Sequence, residues 1–232
     1  MNNATQQQEA LLFYTELYNG FQSLPGYSAE KTVIERVISV LESGGRFNLS
    51  SFNSLVDLGC GIGFKTNILF SRIKKAIGID FIQKAVETGN VLTPGPDLSF
   101  ICDDVLCPVH PVKGDLVSAF GLSVLNTSDP DLFVSRIILI SENYLLAGGT
   151  IWILNPTNFS GTAPGGWYNH TKQELKNLKT LLQKTGKFEV TLDFIHHSPA
   201  FFVKDGFYWF LHRFFRLITG KPQFYSLLIK QK

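Results

Sequence analysis

Leu55-Val56-Asp57-Leu58-Gly59-Cys60-Gly61-Ile62-Gly63 is the stretch that decides the fold of this 232-residue chain. Its first four residues form a short apolar run with one embedded acid, the pattern of a buried strand. Three glycines then break the run and permit positive-φ backbone and close approach of a ligand. Phe64, Ile68 and Leu69 follow at helical spacing, so the turn opens onto a helix N-terminus. The next strand, Ala76-Ile77-Gly78-Ile79, ends in Asp80, 21 residues after Gly59. An acid about 20 residues past such a turn is placed to hold a ribose hydroxyl pair.

Two ligand classes compete for this turn. A nicotinamide or flavin site uses G-x-G-x-x-G and receives a pyrophosphate at the helix N-terminus. Here the third glycine comes one residue early, and Asp57 would repel a pyrophosphate while favouring a cationic amino-acid ligand. A tight turn with no ligand is the bland alternative, and the backbone entropy lost by three glycines argues against it. The run D-L-G-C-G-I-G resembles motif I of class I S-adenosylmethionine (SAM)-dependent methyltransferases, where this loop packs against the methionine part of the cofactor.

Three further blocks extend the resemblance over roughly residues 54 to 155. The strand Leu98-Ser99-Phe100-Ile101-Cys102 runs into Asp103-Asp104-Val105. In the resembled family an acid here accepts from the adenine amino group, and a neighbouring N–H reaches a ring nitrogen. Asp115-Leu116-Val117-Ser118-Ala119-Phe120-Gly121 resembles the family's fourth strand, whose end borders the methyl-transfer centre. Leu145 to Ile153 resembles the L-x-x-G-G turn into strand five.

The resemblance implies an α/β, Rossmann-like class I methyltransferase fold: a seven-stranded, mostly parallel sheet, helices on both faces, and an antiparallel C-terminal hairpin. It implies SAM as cofactor. It implies cofactor contacts from Asp57, Gly59, Cys60, Gly61, Gly63, Asp80, Phe81, Asp103, Asp104, Val105 and Phe120.

Alternation of strand and helix through the middle of the chain independently argues for a parallel sheet covered on both faces. The expected elements are strands 54–58, 76–80, 98–102, 115–120 and 150–155, with helices 64–73, 82–89 and 130–146. Asp129-Pro130 supplies an N-cap and a first-turn proline for the last of these. Ahead of them, Ser28 is the expected N-cap of a helix carrying Val33, Ile34, Val37, Ile38 and Leu41, stopped at Gly44-Gly45. Beyond residue 155 a long loop precedes Thr171-Lys172-Gln173-Glu174, a capping box. A helix to Gly186, a strand from Phe188 to Ile195 and a last strand within Lys221–Ile229 complete the chain. The whole reads as one domain, 1–232: a helical cap over 1–50, a cofactor core over 54–155 and a substrate side over 156–232.

Net charge is +2, from 21 basic and 19 acidic residues, and implies no polyanionic partner. Cys60, Cys102 and Cys107 have no metal-ligand spacing, so no metal is expected, and they form no even disulfide set. The start is polar and uncharged, unlike a signal peptide. No apolar run reaches the ~18 residues of a membrane span, and a cytoplasmic location is expected.

Methyl transfer from a sulfonium is an in-line displacement dominated by positioning. A hydroxyl acceptor would gain from a general base, most often His. The candidates are His170, on the loop after strand five, and His197, of the pair ending strand six; solvated loop histidine is the alternative for His170. Tyr27, Trp167 and Trp209 are candidate substrate contacts. Nucleic-acid amino methylation is argued against, because the Asn/Asp-Pro-Pro-Tyr/Phe block of such enzymes is replaced by Ala119-Phe120-Gly121-Leu122. The expected activity is methylation of a small molecule, most often at oxygen, on a metabolite or sugar. Nitrogen or carbon methylation, including that of a quinone precursor, is the runner-up. A SAM-binding regulatory subunit and a nicotinamide oxidoreductase are the rivals from other classes, and the latter lacks a Tyr-x-x-x-Lys pair.

The end of the chain is unusual. Phe207 to Ile218 reads as a helix that is apolar on several faces, inserted within the last hairpin over 198–222. Residues 186–232 carry seven basic and three acidic groups, so this end is +4. A lid or packing role is expected first, a homodimer contact second and peripheral membrane contact third.

Overall fold

The structure is a computed structural model that describes residues 25–93, 95–163, 166–195 and 224–232. His197, Trp209 and the aromatic segment 207–218 lie outside the described residues, as does the side chain of Tyr27.

The chain order is helix α1 (Pro25–Ser43), strand β1 (Ser54–Leu58), α2 (Phe64–Phe70), β2 (Lys75–Asp80), α3 (Gln83–Leu92), β3 (Leu98–Cys102) and β4 (Gly114–Phe120). Then come α4 (Pro130–Tyr144), β5 (Leu145–Pro156), α5 (Lys172–Lys184), β6 (Phe188–Ile195) and β7 (Phe224–Gln231). All seven strands form one sheet in the order β3-β2-β1-β4-β5-β7-β6. β1 to β5 pair in parallel, and β7 lies antiparallel between β5 and β6. This is the expected Rossmann-like sheet with its C-terminal hairpin. The strand order reverses between β1 and β4, which is where open α/β sheets bind ligands at their carboxyl ends.

Parallel strands are covered on both faces, so successive residues enter two separate cores. Leu55 and Leu116 face α1 and α2, packing with Ile34, Ile38, Leu41 and Leu69. Val56, Leu58, Val117 and Ala119 face α4 and α5, packing with Phe133, Ile137, Leu175 and Leu178.

Several element boundaries differ from the sequence expectation, among them the end of α3, which runs on to Leu92. Within the described residues α1 spans Pro25–Ser43, so Ser28 lies inside the helix instead of capping it. α4 stops at Tyr144, because Leu145 takes extended backbone and starts β5 five residues early. α2 ends at Phe70, and the expected last turn to Ile73 is a separate turn with Ile73 N–H donating to Phe70 O. Both expected caps form: Asp129 accepts from Asp131 and Leu132 amides, and Thr171 and Glu174 close a capping box. No helix among the described residues is long and apolar enough to cross a membrane.

Candidate active site

The glycine turn leaves β1 at the centre of the sheet and is stitched to β2. Gly59 and Cys60 N–H both donate to Ile79 O, at 2.8 and 3.1 Å. Gly59, Gly61 and Gly63 all have positive φ, at 69°, 56° and 86°. A Cβ at Gly63 would stand 2.3 Å from Phe100 Cζ, and one at Gly59 would stand 2.8 Å from Leu122 Cδ1. Close packing of protein on protein therefore accounts for these two glycines. Gly61 differs: its N–H donates to Asp80 Oδ2 at 2.8 Å, and it holds the loop in its left-handed shape.

Asp80 is buried at the end of β2. Its other oxygen, Oδ1, accepts from Ile82 N–H at 2.9 Å. The amides of Gly61, Ile82 and Phe81 thus all bear on this one carboxylate. Burial pushes the Asp80 carboxyl above its usual range, against the amide bonds from Ile82, Gly61 and Phe81. Phe81, the next residue, is half-exposed at the same edge.

Asp57 lies under the turn and is only 2% exposed. It pairs in register with Ser118 of β4, whose hydroxyl donates to Asp57 Oδ1 at 2.6 Å. Thr66 of α2 donates to Oδ2, also at 2.6 Å. Burial pushes this carboxyl up as well, against the two hydroxyl bonds. The Cys60 thiol, between the two acids, is raised by burial and then by the charges of Asp57 and Asp80. Among the described residues neither Asp57 nor Asp80 is in an ion pair. Ser118 and Thr66 were not singled out from the sequence. A hydroxyl inside the apolar run of β4, opposite an acid of β1, is the signal that could have found Ser118.

Asp103, at the end of β3, is bonded extensively within the protein. Its carboxylate accepts from the amides of Asp104, Val109 and His110 and from the His110 ring. Burial works against its charge, yet these bonds hold its carboxyl below the usual carboxylate range. The group is thus spent on fastening the loop 104–110. Asp104 is exposed at the same strand end, with Oδ1 accepting from Leu106 N–H at 2.8 Å, and Val105 is buried beside it. A group with a depressed folded pKa adds stability above its unfolded pKa, and that stability is lost as pH falls through the folded value. Asp103→Ala should therefore melt lower than wild type at pH 7, and the gap should narrow as pH falls below the ordinary carboxylate range. Thermal melts across that range check this, and a gap independent of pH would deny the carboxylate its loop-fastening role.

Phe120 places its ring away from the edge, in the core against Trp152, with centroids 4.7 Å apart. Only its backbone remains for a ligand. Trp167 is half-buried on the loop after β5.

His170 is buried instead of solvated. Its ring stands edge-on to Tyr168, Tyr225 and Phe133, at 5.0, 6.1 and 6.4 Å. Its Nε2 lies 2.9 Å from Thr127 O. A carbonyl only accepts, so Nε2 carries the proton and Nδ1 is the nitrogen left to act as a base. Burial pushes its pKa down, against the Thr127 carbonyl and Glu174, which favours the neutral ring. A groove of about 330 Å³ runs past His170 between the start of α4 and α5, lined also by Thr127, Glu174 and Lys184.

No family model and no curated protein matches this chain in sequence. Solved structures match it in shape. DhpI, in complex with S-adenosylhomocysteine (SAH), is 14% identical with a TM-score of 0.61, over 95% of this chain and 94% of that one. Magnesium protoporphyrin IX methyltransferase (ChlM) from Synechocystis PCC 6803, with bound SAM, is 14% identical with a TM-score of 0.57, over 100% and 98% of the two chains. N-methyltransferase NodS from Bradyrhizobium japonicum WM9, in complex with SAH, is 15% identical with a TM-score of 0.56, over 91% and 89%. These likenesses give the chain the fold of class I SAM-dependent methyltransferases.

Proposed function

We propose that this chain is a SAM-dependent methyltransferase acting on a small-molecule acceptor, most often a hydroxyl oxygen of a metabolite or sugar. The observation that carries the reading is the pair of buried carboxylates, Asp57 and Asp80, around the glycine turn. Their hydrogen bonds come from neutral hydroxyls and amides, burial disfavours their charge, and the one cation acting on Asp57 among the described residues, Lys65, makes no ion pair with it. A site of this kind is completed by a ligand that brings positive charge, as SAM does with its sulfonium and α-ammonium groups. A pyrophosphate in the same place would face two acids. The neighbours' own ligands, SAH and SAM, support the reading.

In this reading Asp80 accepts the ribose hydroxyls, and the turn 59–63 backs onto the methionine portion. Asp104, left exposed while Asp103 fastens the loop, accepts from the adenine amino group, with the Val105 amide beside it. SAM supplies an activated methyl group; the chain must align the acceptor about 3 Å from it and exclude water. His170 Nδ1 is the base candidate within the described residues, and His197 remains the second candidate. Tyr27, Trp167 and Trp209 remain candidates for the acceptor side.

Isothermal titration tests the reading. SAH should bind in the micromolar range, about −7 to −8 kcal/mol. Tight NADH binding with no response to SAH would replace the reading with an oxidoreductase. A pH series tests the carboxylates themselves. Asp57 and Asp80 have raised folded pKa values, so in the free protein they take up protons above the ordinary carboxylate range. A cationic ligand favours their ionised forms, so its binding releases protons and tightens as pH rises through that window. SAM should bind more tightly at pH 7 than at pH 5; identical affinities would show that the carboxylates do not respond to its charge.

A further inference from the structure

On the cofactor reading above, we infer that Asn155 is a positioning residue: with Tyr225 it holds the turn after β4 in the shape against which the cofactor loop is seated. Asn155 lies at the carboxyl end of β5 and pairs with Tyr225 across the antiparallel β5–β7 register. Its Oδ1 accepts from Gly121 N–H at 2.8 Å, and its Nδ2 donates to Tyr225 Oη at 2.8 Å. Both side chains are buried, at 2% and 1% exposure. Burial pushes the Tyr225 hydroxyl up to about 12, so it stays protonated.

Gly121 takes φ +70°, the left-handed turn that redirects the chain after Phe120. The residue after it, Leu122, is the one that meets Gly59: a Cβ at Gly59 would lie 2.8 Å from Leu122 Cδ1 and 3.9 Å from Leu122 Cα. A continuous physical line therefore runs from Tyr225 through Asn155, Gly121 and Leu122 to the first glycine of the cofactor turn. An amide buried at a strand end is tolerated only where both of its halves find partners. Here one half is spent on the turn and the other on an anchor from a distant strand.

The rest of the two loops is tied in the same sense. Asn126 Nδ2 donates to Tyr168 O at 2.9 Å, and Tyr168 N–H donates back to Asn126 Oδ1 at 2.8 Å. His170 Nε2 reaches Thr127 O. The loop leaving β4 is thus laced to the loop leaving β5, and Asn155 ties the end nearest the glycine turn.

The test compares SAH affinity and melting temperature for wild type, Asn155→Ala, Asn155→Asp, Tyr225→Phe and Ser226→Ala. Ser226 is the matched control: it accepts from Trp152 Nε1 at 3.0 Å, fully buried, one residue further along the same strand pair. Asn155→Ala should weaken SAH about tenfold, the loss of roughly one hydrogen bond's worth of loop order. Asn155→Asp keeps an acceptor for Gly121 and can take the Tyr225 proton, so it should stay within about threefold of wild type. Tyr225→Phe removes the anchor without a change of shape and should weaken SAH about threefold, and it decides the matter if Asn155→Ala does not fold. Ser226→Ala should lower the melting temperature and leave SAH affinity unchanged. Wild-type affinity in Asn155→Ala or Tyr225→Phe, or an equal loss in Ser226→Ala, overturns the inference and leaves the cofactor reading standing. No SAH binding by the wild type overturns both.

Discussion

Replacing Gly61 by valine should take SAH binding from micromolar to undetectable, a loss of at least about a hundredfold, or roughly 2.7 kcal/mol. Two effects combine at this residue. Gly61 sits at φ +56°, and left-handed backbone costs an L-residue about 1–2 kcal/mol, more for a β-branched side chain. Its amide is also the donor to Asp80 Oδ2. Relaxing the strain rotates that amide away from Asp80, so the turn and the ribose acid lose register together. The strain is confined to the turn between β1 and α2, outside the strand ladder, so the sheet should survive. Titration calorimetry alongside circular dichroism separates the two outcomes: a folded protein without SAH binding is expected. A folded Gly61→Val variant with wild-type affinity would remove the turn from the cofactor site.

How much of this could be read from the chain differs by kind of feature. β1 and β3 have the expected ends, and the alternation of strands and helices led to a parallel sheet covered on both faces, while the seven strands and the antiparallel hairpin followed from the resemblance. Short apolar runs punctuated by glycine leave little freedom in a parallel sheet. Asp57 and Asp80 were also legible, because their positions relative to the turn are local in sequence. Asp103 and Asp104 were not separable: two adjacent acids at a strand end alternate in direction, and only the path of the loop to His110 decides which is consumed. His170 read as a loop histidine, while Phe133, Tyr168 and Tyr225, from separate segments, enclose it. The Asn155–Tyr225 pair was invisible for a similar reason. It joins residues 70 apart through an antiparallel register that no local pattern specifies.

Asp80→Ala gives the sharpest separation of a ligand role from a structural one. Asp80 Oδ2 accepts from Gly61 N–H and Oδ1 from Ile82 N–H, and in the proposed reading the same carboxylate also accepts the ribose hydroxyls. A hydrogen bond to a charged acceptor contributes about 1.5–3 kcal/mol, so losing the ribose contacts alone should weaken SAH roughly tenfold or more. Asp103→Asn should weaken it less, since that carboxylate fastens the loop 104–110 and the proposed reading gives the adenine contact to Asp104. Folding stability should move the other way for the two acids. Burial raises the folded pKa of Asp80, which is a cost to its charged form that removal of the carboxyl relieves. That relief offsets the amide bonds lost, so the melting temperature of Asp80→Ala should fall little. Asp103 has a depressed folded pKa, so its removal should lower the melting temperature at pH 7. A variant that keeps its stability and loses its ligand marks a group retained for binding. The reverse pattern, a large drop in melting temperature for Asp80→Ala with SAH affinity intact, would make Asp80 a loop fastener like Asp103 and leave the ribose without its acid.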